Sequence, residues 1–316
     1  MAEPNRQGAI ETLRYGARAI ARGAEVIRAG GLVAVPTETV YGLAADATDA
    51  RAVARIYAAK GRPSFNPLIV HVRSLDEARS LAVFGEAALA LAEAFWPGPL
   101  TLVLPRRSDA PIASLVTAGL DTIALRMPAH PAMRDLIMAA DRPLAAPSAN
   151  PSGGISPTRA EHVASRFREG LGLIIDAGAT DAGLESTIVA PGPPLRLLRP
   201  GPVTAEQVQA VLGAVPGEAG ARIEAPGQLA SHYAPDKPLR LDATGAREGE
   251  YLIGFGDVAG DAQLSAGGDL VEAAARLFDC LHRADAAGSR AIAVAPVPAV
   301  GIGVAINDRL RRAATR

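Results

Sequence analysis

Residues 36–71 bring together side chains of the types that bind a multiply charged anion. The stretch holds the run Pro36-Thr-Glu-Thr-Val-Tyr-Gly-Leu43, the pair Lys60 and Arg62, and the run Asn66-Pro-Leu-Ile-Val-His71. Two hydroxyls, two cations, an amide and an imidazole thus fall within one predicted strand–helix–strand unit. Cations surrounded by hydrogen-bond donors suit phosphates and carboxylates. The stretch indicates a site for a ligand with several negative groups.

Simpler interpretations of these residues remain open. Lys60 falls in the last turn of a predicted helix, where the helix dipole favours any cation. Arg62 lies beyond that turn, so the dipole explains it poorly, and the glycine between them would let both cations reach one anion. His71 lies in an apolar strand, where a core histidine is the ordinary interpretation. Asn66 precedes a proline and is also typical of a turn.

Further candidates follow along the chain. Thr122 and Arg126 share one face of an alternating strand. If that face lines a cleft, Arg126 can donate a bidentate pair of hydrogen bonds to a carboxylate. If the face is exposed to solvent, Arg126 is an ordinary exposed charge. Ser148 and Asn150 follow a strand in a glycine-containing turn, which suits phosphate binding but is typical of turns in general. The same two interpretations apply to Ser186 and Arg199.

An alternation of helices and strands must position these side chains. Apolar periodicity predicts helices over residues 12–28, 50–60, 75–95, 131–140 and 159–169. It predicts strands over residues 32–36, 68–72, 100–104, 122–127, 144–146 and 173–176. Residues 186–189 and 195–198 are predicted to pair as a hairpin. The mixture predicts an α/β fold with a mixed sheet.

Composition divides the chain into three parts. Residues 1–212 are predicted to form the first domain. Residues 213–238 are rich in Gly, Pro and Ala, which predicts a linker. Residues 239–316 are predicted to form a smaller α/β domain, with strands over 251–255 and 291–295 and helices over 270–283 and 303–314.

Bulk composition excludes several classes of protein. The net charge of −1 and an aromatic content of 4% disfavour a general nucleic-acid-binding surface. The single cysteine, Cys280, excludes a disulfide within the chain and a zinc site built from thiolates, and it is predicted to be a buried structural thiol. We find neither a signal-peptide core near the N-terminus nor an uninterrupted membrane-length apolar run. The expectation is a cytoplasmic protein that does not contact membranes.

Eight segments, in order, resemble the Sua5/YrdC/YciO family over residues 12–212. They are residues 36–43, 60–63, 66–72, 96–101, 126–128, 148–150, 185–187 and 198–201. Two more, Ser231-His-Tyr-Ala-Pro235 and residues 301–313, resemble the two-domain Sua5 branch of that family. The resemblance implies a twisted mixed sheet with flanking helices around a basic concave pocket, followed by a smaller Rossmann-like C-terminal domain.

The resemblance also implies an activity, namely that of an L-threonylcarbamoyladenylate synthase, a nucleotidyltransferase. L-threonine, bicarbonate and ATP would give threonylcarbamoyl-AMP and pyrophosphate, with Mg²⁺ held mainly by the phosphates of ATP and no metal-ligating side chains. A partner transferase complex would then move the threonylcarbamoyl group to adenosine 37 of tRNA to form t6A, so any contact with tRNA would be indirect.

Site residues follow from the same resemblance. The side chains implied to bind ATP are Lys60, Arg62, Asn66, Thr122, Ser148, Asn150, Ser156, Arg199 and Tyr233. Those nearest the phosphates, and therefore catalytic, are Lys60, Arg62, Ser148 and Asn150. Those implied to bind threonine are Thr39, His71, Arg126 and Ser186. Tyr233 would reach back from the linker onto the nucleotide, which would make the linker a lid.

Two alternatives remain open. An RNA-binding or ribosome-assembly protein could use the same basic concave surface, although the charge balance and the few aromatic residues disfavour it. The carbamoyl-transfer domain of hydrogenase maturation proteins is similar in fold, but those proteins carry cysteine-rich zinc fingers, which a chain with one cysteine cannot form.

Overall fold

The computed structural model describes residues 10–218, 220, 224–226 and 232–315. Within them, the first two hundred or so residues build an eleven-stranded mixed sheet in the order β1-β8-β2-β3-β7-β4-β6-β5-β9-β10-β11. Its strands are β1 (Thr12–Arg14), β2 (Val33–Pro36), β3 (Tyr41–Asp46), β4 (Ile69–His71), β5 (Leu100–Pro105), β6 (Thr122–Arg126), β7 (Leu144–Ala145), β8 (Leu173–Asp176), β9 (Thr187–Ala190), β10 (Arg196–Arg199) and β11 (Gly217–Glu218). We call this part of the molecule the large-sheet unit.

Helices cover both faces of the large sheet. They are α1 (Ala17–Arg28), α2 (Ala50–Lys60), α3 (Leu75–Leu81), α4 (Glu86–Phe95), α5 (Ser114–Thr117), α6 (Pro131–Ala140), α7 (Ala160–Arg166) and α8 (Ala205–Leu212). Val33 and Ile175 pack into the apolar cluster beneath α1 and α6. Ala34 and Ile174 pack into the cluster beneath α2 and α4. Neighbouring residues of one strand are thus buried on opposite faces of the sheet. This explains why the sequences of these strands are continuous apolar runs.

The remaining elements form a second, smaller layer, the small-sheet unit. Its strands are β12 (Leu239–Arg240), β13 (Glu250–Gly254), β14 (Ala262–Gln263) and β15 (Ala291–Val294), and its helices are α9 (Leu270–Ala286) and α10 (Gly303–Ala314). The four described strands pair in parallel in the order β12-β15-β13-β14. Helices that connect parallel strands give the Rossmann-like arrangement expected from the sequence.

The two units share one apolar cluster. Leu184 and Tyr233 pack with Phe278 and Leu277 of α9. Gly183 permits this contact, because its φ is +68° and an added Cβ would lie 2.4 Å from the carbonyl oxygen of Ala275. Helix α9 therefore presses directly on the loop that leads into residues 185–187.

Two predicted helices differ from the structure. The segment predicted as a helix over residues 12–28 begins with β1, which pairs in parallel with β8, and its helix starts only at Ala17. The segment predicted as one helix over residues 75–95 is two helices. The break between them is fixed by long-range pairing, because Ala82 bridges Arg106 and the Val83 N–H donates to the carbonyl of Pro105.

Candidate functional site

A cavity opens where the edges of β3, β4, β6 and β9 meet the segment around Tyr233. Its walls come from several segments of the large-sheet unit that are distant in sequence and from residues 226 and 232–233. The lining residues are Thr37, Thr39, Val40, Gly42, Arg62, Ile69, His71, Arg126, Ala146, Pro147, Ser148, Glu185, Ser186, Arg199, Pro226, His232 and Tyr233.

One end of the cavity is organised by Arg126. The parallel register of β4 and β6 sets His71 directly opposite Arg126. The guanidinium donates 2.9 Å to Thr39 Oγ1 and 3.2 Å to the carbonyl of Gly98, and its Nη2 lies 2.7 Å from Glu38 Oε1. Arg126 is 3% exposed. This end is thus a buried cation whose charge is matched by a carboxylate just behind it.

His71 is a neutral imidazole beside that cation. It is 2% exposed, and its Nδ1 has no hydrogen-bond partner among the described residues. Burial lowers the pKa of His71 to about 3, and the positive charge of Arg126 acts in the same direction. A buried polar atom without a partner at the wall of a cavity is available to a ligand.

The other end of the cavity is organised by Lys60 and Arg62, as the helix-end spacing suggested. Gly61 adopts the left-handed conformation and ends α2, so the chain turns between the two cations. Lys60 Nζ donates 2.5 Å to the carbonyls of Ser148 and Asn150, which pins the turn after β7. Arg62 donates to the carbonyl of Asn66 at 3.2 Å. Burial and the neighbouring Arg62 lower the pKa of Lys60, and burial lowers the pKa of Arg62 to about 10.

Arg199 and Ser186 form the floor between these ends. Arg199 donates twice to the carbonyl of Ser186, at 3.0 and 2.9 Å, and once to its hydroxyl at 3.2 Å. The Ser186 hydroxyl also lies 2.7 Å from Thr101 Oγ1. Burial lowers the pKa of Arg199. The predicted hairpin of β9 and β10 is confirmed, and it is this antiparallel pairing that brings Arg199 back to Ser186.

A buried ion pair joins the site to the small-sheet unit. Glu185 accepts a hydrogen bond from Ser156 Oγ and one of 2.8 Å from Arg309 Nε of α10. The Arg309 side chain is 0% exposed and also donates 3.0 Å to the carbonyl of Pro200. Burial alone would raise the pKa of Glu185, but Arg309 and Arg199 hold it below its ordinary value.

Tyr233 closes the cavity from the segment between the two units. It is 1% exposed, its ring packs on Phe278, and the Arg309 guanidinium lies 5.1 Å from its ring centroid. The next residue, Ala234, donates its N–H 2.8 Å to the carbonyl of Gly153, which ties the segment to the turn after Asn150. Ser231, the first residue of the motif identified in the sequence, lies outside the described residues.

The structure brings most of the sequence-predicted site residues together. Eight of them line the cavity: Thr39, Arg62, His71, Arg126, Ser148, Ser186, Arg199 and Tyr233. Four lie one contact behind the wall: Lys60, Asn66, Asn150 and Ser156. Both amide atoms of Asn66 are buried without a partner in the described part of the chain.

Thr122 is the predicted site residue that lies neither on the wall of this cavity nor directly behind it. It opens β6 opposite Pro105, is half-buried, and is four residues from Arg126, a distance of roughly 13 Å along a strand. Alternation correctly predicts that Thr122 and Arg126 share a face, but the cavity spans only part of that face.

Three charged residues that organise the site were missed from the sequence. Glu38, Glu185 and Arg309 supply the carboxylates and the distant guanidinium that fix the geometry. All three lie inside segments that carry the family resemblance, and a search there for charges able to pair could have found them. Glu185 is the one carboxylate on the described cavity wall, and it is occupied by Arg309 and Ser156.

The geometry defines a class of protein: an α/β protein in which buried cations surround a cavity suited to anionic small molecules. A model described as "Telomere recombination", for the Sua5/YciO/YrdC family, matches residues 25–201. A second, described as "Threonylcarbamoyl-AMP synthase, C-terminal domain", matches residues 203–315. The chain belongs to the Sua5/YciO/YrdC family, in its two-domain Sua5 form, which confirms the resemblance identified in the sequence.

The similarity to known proteins covers both the large-sheet unit and the small-sheet unit. The chain is 44% identical to the threonylcarbamoyl-AMP synthase of Pyrococcus abyssi, over 91% of each chain. It is 40% identical to that of Bacillus subtilis, over 93% of this chain and 92% of the relative. The crystal structure of P. abyssi Sua5 complexed with L-threonine is similar with a TM-score of 0.87 and 40% identity, over 96% of this chain and 97% of that one. The predicted fold class is confirmed.

Among the residues that the structure describes, no helix combines the length and the apolar character that crossing a bilayer requires.

Proposed function

We propose that this chain is a threonylcarbamoyl-AMP synthase, which converts L-threonine, bicarbonate and ATP into threonylcarbamoyl-AMP and pyrophosphate. The observation that carries the proposal is one cavity with two different ends. One end pairs Arg126 with Glu38, and the other holds Lys60 and Arg62 against backbone carbonyls. Relatives that share 40–44% of the sequence over more than nine-tenths of their length carry this activity in their names.

Threonine is assigned to the Arg126 end. Its carboxylate would accept from the guanidinium, while Thr39, His71 and Ser186 offer two hydroxyls and an imidazole for its hydroxyl and amine. Thr39 and Arg126 are already hydrogen-bonded at 2.9 Å, so these groups are positioned before the ligand arrives. A related protein of known structure is complexed with L-threonine, which supports this assignment.

ATP is assigned to the Lys60 end. Lys60, Arg62, Ser148 and Asn150 would hold the phosphates, with Arg199 towards the reacting α-phosphate and Tyr233 against the nucleotide. Asn66 and Ser156 would support this end from behind the wall. Thr122 remains a prediction for the outer part of the nucleotide. Cations fixed by backbone contacts stabilise developing charge without reorganising during the reaction.

The reaction then needs orientation and charge stabilisation more than a covalent nucleophile. The amine of threonine attacks bicarbonate, and loss of water gives a carbamate. A carbamate oxygen attacks the α-phosphorus, the bond to the β-phosphate oxygen breaks, and pyrophosphate leaves with the Mg²⁺ that ATP carried. Holding the carbamate and the α-phosphate in one cavity would make this step effectively intramolecular.

The product would be used by a separate transferase. A mixed anhydride of a carbamate with AMP is an activated acyl donor, and we propose that a t6A transferase complex moves its threonylcarbamoyl group to adenosine 37 of tRNA. The proposal places this chain in the cytoplasm, where tRNA is modified, with tRNA contact only through that complex.

Pyrophosphate release tests the proposal. The purified chain is incubated with ATP, Mg²⁺ and bicarbonate, with each amino acid in turn. We expect release that requires bicarbonate and is fastest with L-threonine, together with a product of the mass of threonylcarbamoyl-AMP. No release with any amino acid, combined with strongly salt-dependent retention of RNA, would overturn the proposal in favour of an RNA-binding protein.

A further inference from the structure

Two histidine rings stack across the contact between the two units. His162 on α7 and His282 on α9 have ring centroids 3.8 Å apart and planes inclined by 19°. Beyond the stack, His282 Nε2 lies 3.1 Å from the carbonyl oxygen of Ser156. The small-sheet unit thus reaches the backbone of a residue that is predicted to bind ATP.

Hydrogen-bond partners fix the tautomer of each ring. A carbonyl oxygen can only accept, so His282 Nε2 must carry the hydrogen that it donates to Ser156. The backbone N–H of Thr158 donates 3.3 Å to His162 Nδ1, so the hydrogen of His162 is on Nε2, which faces Asp279 at 3.6 Å. Both rings are neutral in this arrangement. Burial lowers the pKa of His282 to about 3, with His162 as the next cause.

Ser156 is held at two points, its hydroxyl and its carbonyl. Ser156 is 0% exposed, and its hydroxyl donates to Glu185, which Arg309 holds from the other side. Its carbonyl accepts from His282, whose ring is kept in place by the stack on His162. Without the His282 donor, this buried carbonyl would lack that partner and the peptide could rotate, which would move the Ser156 hydroxyl.

We infer that His282 is a positioning residue for nucleotide binding, because it holds Ser156 through a backbone hydrogen bond while His162 fixes its ring. The inference rests on the proposed function, in which Ser156 supports bound ATP. It gives the small-sheet unit a direct role in the active site: α9 sets the position of one part of the nucleotide-binding wall.

Two variants of His282 separate the hydrogen bond from the stack. His282→Phe keeps an aromatic ring against His162 but removes the donor. His282→Gln loses the stack but keeps an N–H that can reach the carbonyl. The matched control is Arg159→Ala, which breaks another contact between α7 and α9, the 2.9 Å pair with Asp279, without touching Ser156.

We measure KM for ATP and for threonine by pyrophosphate release, and Tm for each variant. His282→Phe is expected to raise KM for ATP about three- to tenfold, which corresponds to the free energy of one buried hydrogen bond. KM for threonine should not change. His282→Gln should restore KM for ATP to within about twofold. Arg159→Ala removes only a half-exposed ion pair, so KM for ATP and KM for threonine should both stay within about twofold of the wild-type values.

The inference is overturned if His282→Phe leaves KM for ATP unchanged, if both KM values rise together, or if Arg159→Ala has the same effect. If the phenylalanine variant does not fold, His282→Leu, which also lacks a donor, takes its place. If the wild type releases no pyrophosphate, the proposed function fails, and calorimetric titration of the same variants with ATP alone still tests whether His282 controls the nucleotide site.

Discussion

Replacing Arg126 with alanine is expected to reduce both threonine affinity and stability, because one guanidinium serves a ligand and a buried carboxylate. Losing a charge-assisted hydrogen bond to threonine should cost about 1.5–3 kcal/mol, which is about 10- to 150-fold in affinity. The same change leaves Glu38, whose side chain is 12% exposed, without its cation. Breaking a buried ion pair from one side costs about 3–5 kcal/mol. Glu38 keeps backbone donors at Ala129 and His130, so we expect the lower end, about 3 kcal/mol.

The pH dependence of stability distinguishes this cause from a general packing loss. In the wild type, burial alone would raise the pKa of Glu38, but Arg126 and backbone N–H groups hold it below its ordinary value. A carboxyl with a lowered folded pKa contributes stability above its unfolded pKa and loses it as the pH falls through the folded value. In Arg126→Ala burial acts without the cation, so the pKa of Glu38 should rise. The stability deficit of the variant should therefore shrink as the pH falls from neutral towards the ordinary pKa of Glu38.

A double variant is the matched control. Arg126→Met combined with Glu38→Gln removes both charges, so it should recover most of the lost stability while threonine binding stays weak. Urea unfolding at neutral and acid pH gives the free energies of unfolding, and calorimetric titration gives the threonine affinities. Wild-type threonine affinity in the double variant would refute the assignment of Arg126 to the ligand. A deficit in Arg126→Ala that does not change with pH would refute the role of Glu38.

Three further outcomes are expected. Arg309→Leu should lower the free energy of unfolding by about 3–5 kcal/mol in urea titrations, because it leaves the buried Glu185 without its salt-bridge partner, and adding Glu185→Gln should recover most of that loss. Serine should replace threonine in pyrophosphate release with a KM only about fourfold higher, because one buried methyl is worth about 0.8 kcal/mol. A thousandfold preference for threonine over serine would contradict this expectation. Chelation of Mg²⁺ should abolish pyrophosphate release without lowering Tm in the absence of ATP, because the cavity wall offers no free carboxylate in its described part; a large fall in Tm would point to a resident structural ion.

The sequence predicts local geometry at the site but not the contacts between distant segments. Gly61 between Lys60 and Arg62 predicts a helix end flanked by two cations, and α2 ends there in the structure. Nothing local says that Lys60 donates to carbonyls some ninety residues further along the chain, or that Glu185 pairs with Arg309 at a separation of 124 residues. Such pairings depend on sheet register and on the contact between the units, which periodicity does not encode.

The errors in the predicted fold have the same origin. β1 contains three residues, too few for an alternating pattern, and it is a strand because β8 offers it an edge. Residues 75–95 have a continuous helical composition, but Ala82 is held in an extended conformation by its bridge to Arg106. In both places a tertiary contact overrides the local preference of the chain.

The distribution of charge argues for which substrate binds where. Arg126 and Arg309 each have a carboxylate partner, whereas the acceptors found for Lys60, Arg62 and Arg199 among the described residues are carbonyl and hydroxyl oxygens. Glu185 attracts Lys60 and Arg199, but its salt bridge is formed with Arg309. Buried cations without a salt-bridge partner of their own are unfavourable until an anion arrives. The triphosphate of ATP carries several negative charges and suits those three cations. Threonine is a zwitterion and suits the nearly neutral Arg126–Glu38 end, where a second uncompensated cation would repel its amine. Unequal compensation of charge along the cavity thus supports the proposed assignment of threonine to the Arg126 end and of ATP to the Lys60 end.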